Sequence, residues 1–270
     1  MIFLFTALYA EAKPLIEHWH LKRKEGPIQQ FENGEITLTV TGTGPIAAAS
    51  VGGAVLGKNP RHADDFLISA GICAGLSHQK KGSIVLIHQL IDQNSGRAFY
   101  PDIIFTSLKR EETLFTGSRV WNRESSVADH GLYDMEGAAL FEAGSLFLSP
   151  HQMRFLKTVS DTGDTLVTPQ EVSGLMKELI PSLEAEIEAM RRQCAKEEEV
   201  LIENEEETAD LFQASLTMRR QIHQLLLYCT LAGTDWKAVI QQKIKQGLLP
   251  AENRSEGKKR LEEIRHELIG

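Results

Sequence analysis

Cysteine is scarce in this 270-residue chain: Cys73, Cys194 and Cys229 are odd in number, far apart and without C-x-x-C spacing. That argues against a disulfide framework and a zinc site, and fits a reducing, cytoplasmic setting. Long apolar runs are also missing. The opening MIFLFTAL has no basic stretch before it, meets Glu11 and Lys13 within a few residues and is too short to span a bilayer, so it reads as a buried strand. Nor is there a basic excess. Of the net charge of −8, all is accounted for by eight acids and no base between Glu197 and Asp210; elsewhere acids and bases balance. A nucleic-acid face is therefore not expected, and neither is a membrane partner.

What the chain does have is an ordinary globular share of hydrophobic residues, 42%, enough for a sizeable core. Apolar runs of strand length at Ile2–Leu8, Ile36–Thr41, Phe66–Ala70, Ser83–Ile91 and Phe155–Ser160 alternate with helical stretches at Ala12–Trp19, Pro45–Gly57 and Met135–Phe147. Strand, glycine-containing turn and helix recur, which predicts an α/β domain with a parallel or mixed sheet. Glu171–Met190 carries one helical stripe that Pro181 should kink or restart. A second stripe, Leu211, Met218, Ile222, Leu225 and Cys229, has helical steps and ends at Gly233-Thr234-Asp235, where Thr234 or Asp235 is placed to cap the next helix. We divide the chain into 1–193, an α/β domain, and 194–270, an acidic linker with an all-α appendage. The segment 208–232 is available to pack on the core, to dimerise or to hold a protein partner. His18, His20 and His223 read as ordinary histidines, and no metal-binding spacing is present.

Three acids sit just beyond apolar runs: Glu11 in ALYAE, Glu136 in DMEGAA and Asp161 in TVSDTGD. In an open α/β sheet the ends of the strands border the ligand crevice, so the three have a reason to converge. Taken singly, each is most simply a turn or cap residue.

Together with TGTGPIAAA (Thr41–Ala49), SAGICAGL (Ser69–Leu76) and KGSIVL (Lys81–Leu86), these segments resemble the purine nucleoside phosphorylase/nucleosidase superfamily over roughly residues 1–190, and most closely its methylthioadenosine/S-adenosylhomocysteine nucleosidase branch. The resemblance implies a three-layer αβα domain with a central mixed sheet. It also implies cleavage of the N-glycosidic bond of a purine nucleoside such as methylthioadenosine, S-adenosylhomocysteine or 5′-deoxyadenosine. On it, Glu11 matches the base that deprotonates water and Asp161 the acid that protonates purine N7. Glu136 matches the residue that holds the ribose hydroxyls, with Met135 under the sugar. Phe115 would stack on the base and Thr116 would offer backbone contacts; Ile72 and Ser160 join the substrate-binding set from GICAG and VSD. No cofactor and no metal are implied, and a homo-oligomer, in the simplest case a homodimer, is expected.

The chain departs from the family pattern in three places. The stretch from Asp92 to Gly131 is short, Ile72 stands where relatives often have a small hydroxyl residue, and Lys157 precedes V-S-D where arginine is common. Phosphorolysis is the runner-up, but no arginine follows the first strand until Arg23, GICAG lacks a hydroxyl and Glu11 would repel phosphate. A non-catalytic nucleoside-binding or scaffold role is the other alternative. Gly42-x-Gly44-x-x-Ala47 with Asp64 imitates a dinucleotide fingerprint, but it follows the second strand and lacks the third glycine.

Overall fold

The first apolar run becomes β1 (Ile2–Thr6), in which every residue is buried. Ile2 and Leu4 enter one hydrophobic cluster, Phe3 and Phe5 another, as the two-residue repeat of a strand covered on both faces requires. Each such fully buried side chain stabilises the fold by roughly 1.5–3 kcal/mol. This computed structural model describes residues 1–58, 62, 64–75, 79–104, 106–121, 131–163, 167–195 and 204–269. Leu76, Asp164 and the acids Glu197–Glu203 lie outside them. The chain divides into two compact units, Met1–Lys196 and Glu197–Gly270.

In the first unit, β1 lies parallel to β4 (Ile36–Val40) on one side and to β5 (Phe66–Gly75) on the other. Beyond β4 come β3 (Gln29–Glu32) and β2 (Lys22–Lys24), both antiparallel to their neighbours, and all three residues of β2 are exposed. β5 also runs parallel to β10 (Met153–Asp161) and antiparallel to β9 (Leu132–Asp134). β10 pairs with β6 (Ile84–Asp92), β6 with β8 (Glu111–Thr116), and β8 with β9. The strands β5, β10, β6, β8 and β9 thus close into a ring, and the short β7 (Ala98–Phe99) is appended to β6.

Helices α1 (Tyr9–His18) and α4 (Pro169–Ala195) cover one face of the sheet, while α2 (Pro45–Leu56) and α3 (Gly137–Gly144) cover the other. The unit is therefore a three-layer αβα domain with a mixed sheet, as expected. One local reading is corrected and one is narrowed. α1 begins at Tyr9 and not at Ala12, because the Glu11 carboxylate curls back to accept the N–H groups of Ala7 and Leu8. α4 does not restart at Pro181; that residue lies inside one continuous helix whose stripe from Val172 to Met190 is buried.

The second unit holds α5 (Glu205–Leu211), α6 (Leu216–Leu231), α7 (Trp236–Lys245) and α8 (Arg254–Ile269). Ser215 caps α6 by accepting from the Met218 N–H, and Asp235 caps α7 by accepting from that of Ala238. Phe212, Met218, Ile222, Leu225, Cys229, Trp236, Ile240 and Leu261 form its core. Leu211 does not belong to the same helix as Met218: it ends α5, and Gln213 follows with φ of 49°. Acids of α5 pair with α6, Glu206 and Asp210 with Arg219 and Glu205 with the exposed His223. No helix among the described residues is long and apolar enough to cross a membrane.

Candidate active site

Gly71 in β5 leaves room for a carboxylate from another element. Glu11 fills it: an added Cβ at Gly71 would lie 2.6 Å from Glu11 Oε1. Glu11 Oε2 accepts the N–H groups of Ala7 and Leu8, each at 2.8 Å, and Oε1 accepts that of Ile72 at 2.8 Å. Burial pushes this carboxyl above its ordinary range, against the opposing pull of Lys157 and the three N–H donors.

Lys157 is the strand neighbour of Gly71 across the β5–β10 pairing. Its ammonium and the Asp134 carboxylate are both buried and lie 2.8 Å apart. Burial alone would discharge the lysine, but Asp134, Glu136 and Glu11 together hold it charged, with its pKa above the ordinary lysine value. Asp134 in turn accepts the Thr116 hydroxyl at 2.7 Å and the Gly137 N–H at 2.9 Å, tying the ends of β8 and β9 to the first turn of α3.

Glu136 precedes α3 and accepts the Gly44 N–H at 2.7 Å. Gly44 has φ of 95°, a conformation that favours glycine, and it turns its N–H away from α2 and toward the site. Burial first, and then the neighbouring Asp134, push the Glu136 carboxyl up to about 7.

Asp161 ends β10 at a bulge, where Val159 still opposes Cys73 but Asp161 opposes Ala74, with Ser160 as the extra residue. Asp161 Oδ1 accepts the Gly163 N–H at 2.8 Å, and Oδ2 lies 2.6 Å from the Ser160 hydroxyl. That same hydroxyl reaches the Cys73 carbonyl at 3.1 Å. A serine has one proton, so the hydroxyl donates to one of these two acceptors at a time.

All three acids singled out in the sequence line one cavity of about 230 Å³, together with Ile72, Met135 and Ser160. Phe115 and Thr116 do not line it. Thr116 is buried with its hydroxyl on Asp134, and Phe115 packs against Gly131, where an added Cβ would lie 2.8 Å from its ring. Val120, Trp121 and Tyr133 line it instead, the last two with ring centroids 6.1 Å apart. They fall within TGSRVW and GLYD, so Trp121 lies six residues beyond Phe115 and Tyr133 eighteen, in segments that carry no apolar periodicity. Cys73 is part of the wall, with a thiol that burial pushes up and keeps protonated. Among the described residues lining the cavity there is no arginine or lysine, and no group of three or more potential metal ligands occurs among the described residues.

No protein-family model and no curated protein matches the chain. Solved structures do. A 5′-methylthioadenosine/S-adenosylhomocysteine nucleosidase from Neisseria meningitidis, in complex with methylthio-immucillin-A, is 17% identical with a TM-score of 0.56, over 68% of this chain and 98% of that one. The apo 5′-methylthioadenosine nucleosidase of Arabidopsis thaliana is 19% identical with a TM-score of 0.55, over 70% and 95%. The nucleosidase of Colwellia psychrerythraea 34H in complex with adenine is 16% identical with a TM-score of 0.53, over 71% and 94%. At these identities the likeness is one of fold: the chain contains an α/β fold similar to that of the 5′-methylthioadenosine/S-adenosylhomocysteine nucleosidases.

Proposed function

We propose that this protein hydrolyses the N-glycosidic bond of a purine nucleoside of the methylthioadenosine, S-adenosylhomocysteine or 5′-deoxyadenosine class. The observation that carries the reading is the convergence of Glu11, Glu136 and Asp161 on one cavity. Solved structures of similar fold hold adenine and methylthio-immucillin-A, which supports the choice of base.

In this mechanism a water attacks C1′ and gives up its proton to Glu11. Two N–H donors saturate Glu11 Oε2, while Oε1 accepts one and keeps a lone pair for that water. A carboxyl pushed up by burial is a stronger base than an ordinary glutamate, and the charged Lys157 nearby keeps it ionised until the attack. The C1′–N9 bond breaks, its electron pair passes to the base, and the Asp161 proton goes to N7, so that the base leaves neutral. The Ser160 hydroxyl, within hydrogen-bond reach of Asp161 Oδ2 and of the Cys73 carbonyl, fixes the orientation of the Asp161 carboxyl. Glu136, fixed by the Gly44 N–H, accepts from the ribose hydroxyls. Positive charge develops on the ribose in the transition state, and the surrounding carboxylates stabilise it.

Hydrolysis is preferred to phosphorolysis because a phosphate dianion would meet carboxylates here without a lining cation, and Lys157 is already engaged by Asp134. The test is base release from a panel of these nucleosides, with and without phosphate. We expect release that is independent of phosphate. Strict dependence on phosphate would assign a phosphorylase, and binding without release a nucleoside-binding protein.

A further inference from the structure

We propose that Arg154 and Glu186 form a buried binding site for one water molecule, which joins them as a solvent-bridged ion pair and fastens the connection between β7 and β8 to the rest of the first unit. The site is separate from the cavity that holds the three acids.

Arg154 lies on β10 two residues before Leu156. The two-residue repeat of a strand therefore turns it to the face on which Leu156 meets Leu183 and Ile187 of α4. Glu186 precedes Ile187 on that helix. Both side chains are completely buried. They grip the same connection at two points. Arg154 Nη1 donates to the Asp102 carbonyl at 2.8 Å. Glu186 Oε1 accepts the Thr106 hydroxyl at 2.7 Å, the Ser107 N–H at 2.7 Å and the Ser107 hydroxyl at 2.8 Å. The opposite charges do not meet, however. Arg154 Nε and Nη2 and Glu186 Oε2 are all buried without a hydrogen-bond partner. Each side chain still feels the other: burial pushes the guanidinium below the ordinary arginine value, and Glu186, ahead of Asp102, pulls it back.

Buried ions persist when they are paired and their remaining hydrogen-bonding capacity is filled. The Nε and Nη2 hydrogens of a guanidinium lie side by side along one edge, so a single oxygen accepts from both. A water placed there can donate to Glu186 Oε2. It then has three partners, about the number that a buried water makes. An anion at Arg154 would be repelled by the carboxylate, and a cation at Glu186 by the guanidinium. The chemistry thus selects a small neutral molecule that both donates and accepts.

A crystal structure of the full chain that resolves ordered solvent should show one water within hydrogen-bond distance of Arg154 Nε or Nη2 and of Glu186 Oε2. In solution, isotope-edited NOE and ROE spectra should give a cross peak between the Arg154 Nε–H and water, with the sign of a long-lived contact. A direct contact between Arg154 and Glu186 overturns the proposal, as does the lack of any water signal at the Arg154 Nε–H. The fastening is read separately, by amide exchange. Glu186→Gln keeps the shape of the side chain but removes its charge, and the Ser107 amide should then exchange about ten- to a hundredfold faster than in wild type. Unchanged exchange at Ser107 would show that the bridged pair fastens nothing. The two wild-type measurements decide the water site even if that variant does not fold.

Discussion

The carboxylate of Glu11 occupies the space that a side chain at Gly71 would need. An alanine there would put Cβ within 2.6 Å of Oε1 and push the carboxylate off the Ile72 N–H. Gly71→Ala should therefore lower kcat by a factor comparable to Glu11→Gln, about 10²–10⁴, while circular dichroism shows the fold retained. Full activity in Gly71→Ala would refute the role given to Glu11.

Asp134 and Lys157 form a buried ion pair, and removing one partner leaves the other charge without compensation. Lys157→Met should cost about 3–5 kcal/mol in unfolding by urea. Adding Asp134→Asn keeps an oxygen for the Thr116 hydroxyl and removes the stranded charge, so the double variant should recover much of the loss. If the double variant is no more stable than Lys157→Met, the pair does not act as a unit.

Glu136 makes the site pH-dependent. Its carboxyl is raised from 4.5 to about 7 by burial and by Asp134, so ribose hydroxyls meet the ionised acceptor only as pH rises through about 7. KM for the nucleoside should fall across that range in wild type and stay flat in Glu136→Gln. Stability runs the other way. A group with a raised folded pKa stabilises fully below its unfolded value, and that contribution is lost as pH climbs through the folded one. Between about pH 4.5 and 7 wild type should lose stability relative to Glu136→Gln, as denaturation at several pH values would show.

Gly257 in α8 approaches Phe212 so closely that an added Cβ would overlap the Phe212 carbonyl. Gly257→Ala should destabilise the second unit by about 1–3 kcal/mol, read as an earlier thermal transition. All the residues assigned to the chemistry belong to the first unit, so base release per folded molecule should be unchanged. A fall in kcat with this variant would place the helical unit in the reaction.

Legibility in the sequence followed burial. β1, β4, β5, β6 and β10 were readable because each carries buried apolar residues over strand length, even though β4 interleaves threonine and β10 also buries Arg154 and Lys157. β2 and β3 were not: KRK is wholly exposed and QQFE buries only Phe31, so neither carries a hydrophobic signal. β8 and β9 were missed because EETLFT begins with two charges and LYD is three residues long; pairing within the ring holds them. At the site, Glu11 and Asp161 were visible because each ends or follows an apolar run, and Glu136 because it opens a small-residue helical stretch. The Asp134–Lys157 pair was not, since 23 residues separate its members and strand pairing alone brings them together. Trp121 lacked a periodic setting that would set it apart from a surface aromatic.

The closed ring also governs how this molecule behaves when crowded. Strands in a ring spend their backbone N–H and C=O groups on one another and leave no template for a foreign chain. At the far end of the sheet, the edge strand β2 carries Lys22, Arg23 and Lys24 in succession, all exposed, with Lys24 paired to Glu32 on β3. Lys22 and Arg23 leave that edge positively charged, which disfavours pairing with the same edge of a second molecule. The chain thus guards against edge-to-edge aggregation with a short run of charge that has no part in its chemistry.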